Sequence, residues 1–248
     1  MSRERTGKPK LRIGTSGWSY DHWEGPFYPA DLAQEERLAY YREHLDTVEI
    51  NNTFYQVPEQ QTFRSWLDEV STDFEFAVKA NRYITHMKKL KDPREPLERF
   101  FQGATRLGEN LGPILFQLPP NWHYNHERLA GFLEALPAGR RYTFEFRDPE
   151  WINARSLRLL EEHGAAFCIY DYEARTSPKH VTAEFVYIRL HGPTETAYEG
   201  RYTTADLAGW AGAVSSWLES GNDVYCYFDN DYRGYAAVNA LELASMLE

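Results

Sequence analysis

The 248-residue chain holds only two cysteines, Cys168 and Cys226, and neither sits in a C-x-x-C pair or at a zinc-ligand spacing. That excludes a local thiolate metal or redox motif. Both fall inside predicted strands and read as buried thiols of a cytoplasmic protein, because the cytosol keeps thiols reduced. No apolar run approaches the roughly 20 residues of a membrane span. The first ten residues, M-S-R-E-R-T-G-K-P-K, lack the apolar centre of a signal peptide and read as a disordered leader over 1–10. Positive charge is in deficit: the formal net charge is −10, which excludes a general nucleic-acid coat or an anionic membrane surface as partner. One local basic run, Arg82, His86, Lys88, Lys89 and Lys91, keeps a nucleic-acid contact open without favouring it. There is no G-x-G-x-x-G, no H-E-x-x-H, no internal repeat and no low-complexity stretch.

What is present alternates strands with helices. Strands are predicted at 11–16, from Thr47, at 74–80, 112–120, 142–147, 165–171, 185–192 and 223–229. Helices are predicted at 32–45, 60–70, 97–111, 127–136, 154–163, 205–220 and 238–247. The sixth interval, 172–184, contains Pro178 and has room for little more than a helical turn. Eight strands with helices in seven of eight intervals predict one α/β domain over 11–248: an eight-stranded parallel β/α (TIM) barrel with a reduced sixth helix. The competing architecture, a doubly wound open sheet, usually has fewer strands and often a Gly-rich phosphate turn after the first.

In a barrel the apolar side chains of each strand face the helices and the alternate set faces inward. The inward set is charged. Near the strand C-termini it comprises Asn51, Lys79, Gln117, Arg147, His191 and Asp229; one layer below come Glu49, Glu145 and Arg189. Active sites of such barrels lie at that end, and buried charges persist only when mutually compensated.

The segments G-T-S-G-W-S-Y-D-H-W-E-G-P-F-Y-P, T-V-E-I-N-N-T-F-Y, F-A-V-K-A, L-G-P-I-L-F-Q-L-P-P, E-F-R-D-P-E-W, Y-I-R-L-H-G and Y-C-Y-F-D-N-D, in this order, resemble the domain of unknown function 72, or YecE-like, family. The resemblance runs from about Leu11 to Glu248 and implies a β/α barrel, without implying a reaction. Three positions depart from the family's usual residues: Asp148 stands where His is usual, Asp229 where Asn is usual, and Tyr235 where a Gly-His pair is common.

Glu49 and Glu145 offer a paired general acid and base across the barrel, or alternatively serve as partners for the arginines. Lys79, Arg147 and Arg189 suit an anionic group. His191, at the barrel rim, suits proton transfer or ligation. Asn51, Tyr55, Gln117 and Asp229 are expected to touch the ligand. Trp18 and Trp23, with Tyr20, Phe27, Tyr28, Tyr55 and Trp151, offer a stacking wall over the mouth. A divalent metal through Glu49, Glu145, His191 and Asp229 is a minor alternative, since the neighbouring arginines repel cations. The leading expectation is an enzyme, a hydrolase or a lyase/isomerase, acting on a polar or anionic small molecule or nucleotide-like substrate and requiring no cofactor. A non-catalytic ligand- or nucleic-acid-binding barrel and a metal-dependent phosphodiesterase-like hydrolase are the alternatives. Oligomeric state has no signature in the sequence.

Overall fold

The computed structural model describes residues 7–56 and 58–248. Most of the expected leader therefore lies outside the described residues. At its end Lys10 is anchored, its N–H donating to Asp223 Oδ1 at 2.8 Å and its ammonium meeting Glu75 at 3.0 Å.

Eight parallel strands close on themselves. They are β1 (Leu11–Ser16), β2 (Thr47–Ile50), β3 (Glu75–Lys79), β4 (Leu111–Leu118), β5 (Tyr142–Phe146), β6 (Ala166–Tyr172), β8 (Phe185–Leu190) and β9 (Asp223–Phe228). Neighbours pair in chain order, β6 joins β8, and β9 returns to β1 with Gly14 opposite Tyr227. Among the described residues seven α-helices fill all but the β6–β8 interval: α1 (Arg37–Tyr41), α2 (Gln60–Glu69), α3 (Arg94–Ala104), α4 (His126–Glu134), α5 (Ala154–Glu162), α6 (Thr204–Glu219) and α7 (Tyr235–Ser245). No helix among the described residues is long and apolar enough to cross a membrane.

Three elements differ from expectation, each for a local reason. The predicted helix 32–45 is realised as a 3-10 turn at Gln34–Glu36, the five-residue α1 and further turns, which still bury Leu38, Tyr41 and Leu45. The predicted helix 97–111 starts earlier, after Pro93, and gives way to 3-10 turns broken at Gly108, whose φ is 57°. The reduction of the sixth interval goes further than a short helix. Glu173 and Ala174, at φ 52° and 54°, fold the chain into a tight turn, and β7 (Arg175–Thr176) pairs antiparallel with β6. Positive φ at both central residues is what a two-residue hairpin of matching twist requires, and Pro178 follows two residues after β7.

At the β1–β2 seam Gly14 allows a close approach: a Cβ there would lie 2.1 Å from the Thr47 carbonyl oxygen. Tyr41 of α1 bridges this seam. Its hydroxyl accepts from Thr15 N–H and donates to the Thr47 carbonyl, both at 3.0 Å.

The barrel interior is layered. At the N-terminal end Arg12, Glu75, Arg141 and Asp223 form an ionic plug, with Tyr225 donating to Glu75 at 2.8 Å. Above it an apolar and aromatic layer holds Ala77, Leu115, Ala166, Cys168, Tyr187, Tyr225 and Tyr227. Both cysteines are buried and unpaired. Over this layer lies a second ionic tier, at the end where barrel enzymes place their sites.

Candidate active site

Arg189 is the hub of that tier. Its backbone sits near the C-terminal end of β8, and alternation turns its side chain inward, where it is 1% exposed. Its Nε donates to Glu49 at 3.0 and 3.1 Å, and its Nη2 to Glu49 at 2.7 Å and Asp229 at 2.9 Å. Its Nη1 donates to Glu145 at 2.8 Å. Glu49 also accepts from Ser16 at 2.8 Å and Tyr187 at 2.6 Å. Glu145 takes a further hydrogen bond from Arg147 Nε. Both glutamates are fully buried. Desolvation alone would raise the pKa of Glu145, but Arg147, Arg189, His191 and Lys79 together hold it far below the ordinary carboxylate range.

The two glutamates are therefore not the free acid–base pair expected from the sequence. Every carboxylate oxygen is already bonded, and neither group reaches solvent. The metal reading through Glu49, Glu145, His191 and Asp229 fails on the same geometry, because the Arg189 guanidinium fills the position at which a cation would meet these ligands.

His191 is also buried, and its tautomer follows from its partners. Arg147 Nη2 at 2.9 Å and Arg189 Nη1 at 3.3 Å both approach Nε2, and a guanidinium can only donate. Nε2 is thus the acceptor, and Nδ1 carries the proton it donates to Asp229 Oδ2 at 2.9 Å. Burial and the two arginines hold the ring neutral, with its pKa well below the ordinary value of 6.5. In this arrangement His191 fixes Asp229 rather than exchanging protons with a substrate.

The mouth above is built differently. Asn51, Lys79, Gln117 and Arg147, from four successive strand ends, are each half-buried. The Asn51 Oδ1 is buried without a hydrogen-bond partner. Among the described residues the Lys79 ammonium has neither a hydrogen-bond nor an ion-pair partner; it lies 4.6 Å from the centre of the Phe54 ring. Phe54 is placed by the turn Asn52–Phe54, which Thr53 pins by donating to the Ile50 carbonyl at 3.0 Å and the Lys79 carbonyl at 2.7 Å. Burial, followed by repulsion from Arg189, lowers the Lys79 pKa to about 8, against the attraction of Glu145, Glu49 and Asp229. The chain after β3 forms a π-helical turn, Tyr83–Met87, which sets His86 edge-on to Phe54 at 5.0 Å. Such turns often accompany functional positions. Burial and the charges of Lys79 and Arg82 lower the His86 pKa to about 4.

Two residues not singled out in the sequence complete the mouth. Tyr172 lies flat against Arg147, 3.8 Å from guanidinium carbon to ring centre, and Tyr198 stands edge-on to His191 at 5.6 Å. Tyr172 ends β6, whose inward face the alternation pattern leaves ambiguous, and Tyr198 lies in an irregular loop, so periodicity marks neither. Other predicted contacts lie elsewhere. Trp23 and Trp151 are fully buried, their indole N–H groups donating to Asp231 and the Trp122 carbonyl, so neither can stack on a ligand. Phe27 and Tyr28 are buried with Trp23. Trp18 packs edge-to-face on Trp66 at 5.2 Å. Tyr55 is 71% exposed and lines a separate cleft of about 580 Å³ with Tyr83, Arg99 and Arg106.

A cluster absent from the sequence reading lies in the loops after β4 and β5. Potential ligand atoms of His123, Asp148 and Glu150 come within 4.8 Å of one another, though His123 and Glu150 are exposed. Asp148 also accepts from Glu150 N–H at 3.0 Å, which caps the turn Pro149–Trp151. That capping gives the carboxylate a structural use in the absence of an ion.

The family described as "Protein of unknown function DUF72" matches residues 12–248. The chain belongs to the DUF72 family. Among its DUF72 relatives, the UPF0759 protein YunF of Bacillus subtilis (strain 168) is 24% identical, over 96% of this chain and 95% of that one. The UPF0759 protein YecE of Escherichia coli (strain K12) is 26% identical over 57% of this chain and 50% of its own length. The crystal structure of a DUF72 family protein from Thermotoga maritima MSB8 superposes with a TM-score of 0.87 at 30% identity, covering 96% of this chain and 99% of that one. A DUF72 family protein from Enterococcus faecalis V583 gives 0.80 at 21% identity, over 96% and 95% of the two chains. The second likeness bears on the fold.

The DUF72 barrel should lose stability in mild acid, and the sign follows from the histidines. In the unfolded chain His86 and His191 take up protons near pH 6.5; in the fold His86 does so only near 4 and His191 well below 6.5. Below pH 6.5 the unfolded state therefore binds more protons, and stability falls with pH. Urea midpoints at pH 7 and pH 5 should differ in that direction. His86→Gln should reduce the difference without abolishing it. A pH-independent midpoint would show that neither ring is held neutral.

Proposed function

We propose that this protein is an enzyme acting on a polar, anionic small molecule at the C-terminal mouth of the barrel. The contrast between the two upper layers carries the reading. Glu49, Glu145, Arg189 and His191 satisfy one another. Directly above them, Asn51 Oδ1 is buried unpaired and the Lys79 ammonium has no polar partner among the described residues. A buried polar atom left unsatisfied beside an unpaired cation, above a saturated tier, is what a bound ligand would complete.

Within this reading Arg147 holds the anion. Its Nε and Nη2 are spent on Glu145 and His191, and Tyr172 fixes the plane of the guanidinium. Its Nη1 has no hydrogen-bond partner among the described residues, and a charge-assisted bond to an anion would supply one. Asn51 and Gln117 orient the uncharged part of the molecule. Glu49, Glu145 and His191 are positioning residues that hold Arg189, Arg147 and Asp229 in place. The buried and charged surroundings of Lys79 favour a lyase or isomerase over a hydrolase, because no free carboxylate pair is available to activate water.

Calorimetric titration with phosphate and with pyruvate tests the site. Binding of at least one is expected, and Arg147→Gln should weaken it by about tenfold or more, the worth of one hydrogen bond to a charged group. Equal affinity in the variant would place the anion elsewhere.

A further inference from the structure

We infer that Lys79 is a nucleophile that forms a covalent imine with a ketone or aldehyde carrying a carboxylate or phosphate group. The inference rests on the anion-binding reading above and adds to it the class of substrate and the bond that forms.

The geometry sets Lys79 apart from the other cations of the mouth. Arg189 and Arg147 are bonded to carboxylates. The Lys79 ammonium is not; it rests on the face of Phe54, at the strand end open to the mouth. A lysine serving only as an anion clamp or an ion-pair partner needs no such shielding from the three carboxylates nearby. A nucleophilic amine does, because a close carboxylate would hold its proton. The carbon chain of Lys79 issues from β3, whose end is tied to the β2 turn through Thr53, so the amine is presented from a rigid element. Arg147, at the end of β5 two strands away, would hold the anionic group while the carbonyl carbon meets Nζ. The lowered pKa agrees with this role: near 8, roughly a tenth of the amine is unprotonated at pH 7, against well under a thousandth for an ordinary lysine.

The step balances as follows. Lys79 gives up one ammonium proton, and the Nζ lone pair adds to the carbonyl carbon, whose oxygen takes up a proton. Nitrogen then releases a second proton, which the carbinolamine hydroxyl takes up to leave as water while nitrogen forms the double bond. One ammonium and one carbonyl become one iminium and one water, so the positive charge stays at the same place, above the tier that holds Glu49, Glu145 and Asp229. The iminium then draws electrons from the neighbouring carbon, the requirement of aldol-type cleavage or of proton transfer alongside a carbonyl.

The test is borohydride trapping on the full-length protein, with pyruvate and dihydroxyacetone phosphate as probes. Intact mass and peptide mapping should show one reduced adduct per chain, on Lys79, with at least one probe. Arg147→Gln should shift its half-saturation upward by about tenfold, and Lys79→Arg should remove it. Mapping on the wild-type chain needs no variant, so a folding failure of either substitution leaves the result readable. The adduct rate should rise with pH about a midpoint near 8. The groups facing Lys79 that could distort this profile are Glu49 on β2, His86 beyond β3, Glu145 on β5 and Arg147 just after it, Arg189 on β8 and His191 just after it, and Asp229 after β9. Label spread over exposed lysines such as Lys89 and Lys91, or no adduct with either probe, overturns the inference. If calorimetry shows Arg147-dependent binding of a probe that is never trapped, the imine is wrong and the anion site stands. If neither probe binds nor is trapped, both fail.

Discussion

Arg189→Met is expected to lower the stability of the fold by about 3–5 kcal/mol. Methionine approximates the length of the arginine stem but leaves Glu49 and Glu145, both fully buried, without the guanidinium that binds them at 2.7 and 2.8 Å. Asp229 loses its cation at 2.9 Å as well. The cost is that of uncompensated buried charge, not the net worth of the ion pairs, which against an apolar replacement of the whole cluster is often small. In a chain of this size the change corresponds to a thermal midpoint lower by roughly 6–20 °C. Adding Glu49→Gln to Arg189→Met should recover part of the loss, because the amide carries no charge to strand. A single-variant effect below about 1 kcal/mol would mean that the carboxylates hold protons in the fold and that the tier is not ionic.

Gly192→Ala is expected to cost about 3 kcal/mol, with a midpoint lower by about 6–12 °C. Two causes add. Gly192 has a φ of 109°, a conformation closed to alanine without strain, and its Cβ would lie 2.0 Å from the Glu199 carbonyl oxygen. The clash falls on the loop that brings Tyr198 to His191, whose carbonyl accepts from Tyr198 N–H at 2.7 Å. Gly139 provides the contrast. Its φ is 77° but nothing lies within 4 Å of its would-be Cβ, so Gly139→Ala carries strain alone and should cost about 1 kcal/mol. Equal losses at the two positions would show that the loop yields and that Tyr198 is not held by backbone contact.

The inward set of the strands could be read from the sequence because a parallel barrel enforces a two-residue alternation, and charged residues stand out against Val, Ile and Phe. That logic reached Glu49, Glu145, Arg189 and the mouth residues Asn51, Lys79, Gln117 and Arg147. It did not reach the pairing. Whether Glu145 faces a substrate or Arg189 depends on side-chain length and on the stagger of strands, neither of which periodicity encodes. It failed most where rings are carried by loops. Trp23 and Tyr198 both sit in aromatic, Gly-containing segments, yet one is buried against Asp231 and the other is 46% exposed beside His191. The His123, Asp148 and Glu150 cluster was invisible for a similar reason, since it joins two loops whose proximity only the closed barrel creates.

The hairpin formed by β7 bears on how this chain would associate with itself. An open sheet presents two unpaired edges that can template a neighbour's strand, whereas a closed ring presents none. Among the described strands β7 is the one that stands outside the ring, and it is two residues long, with Arg175 on it. So short and charged an edge offers little purchase for strand addition. Aggregation through intermolecular sheets must then wait for the ring to open. The acid that charges His86 and His191 in the unfolded chain is thus also what should expose the apolar strands, so colloidal failure and loss of the fold should share one pH onset.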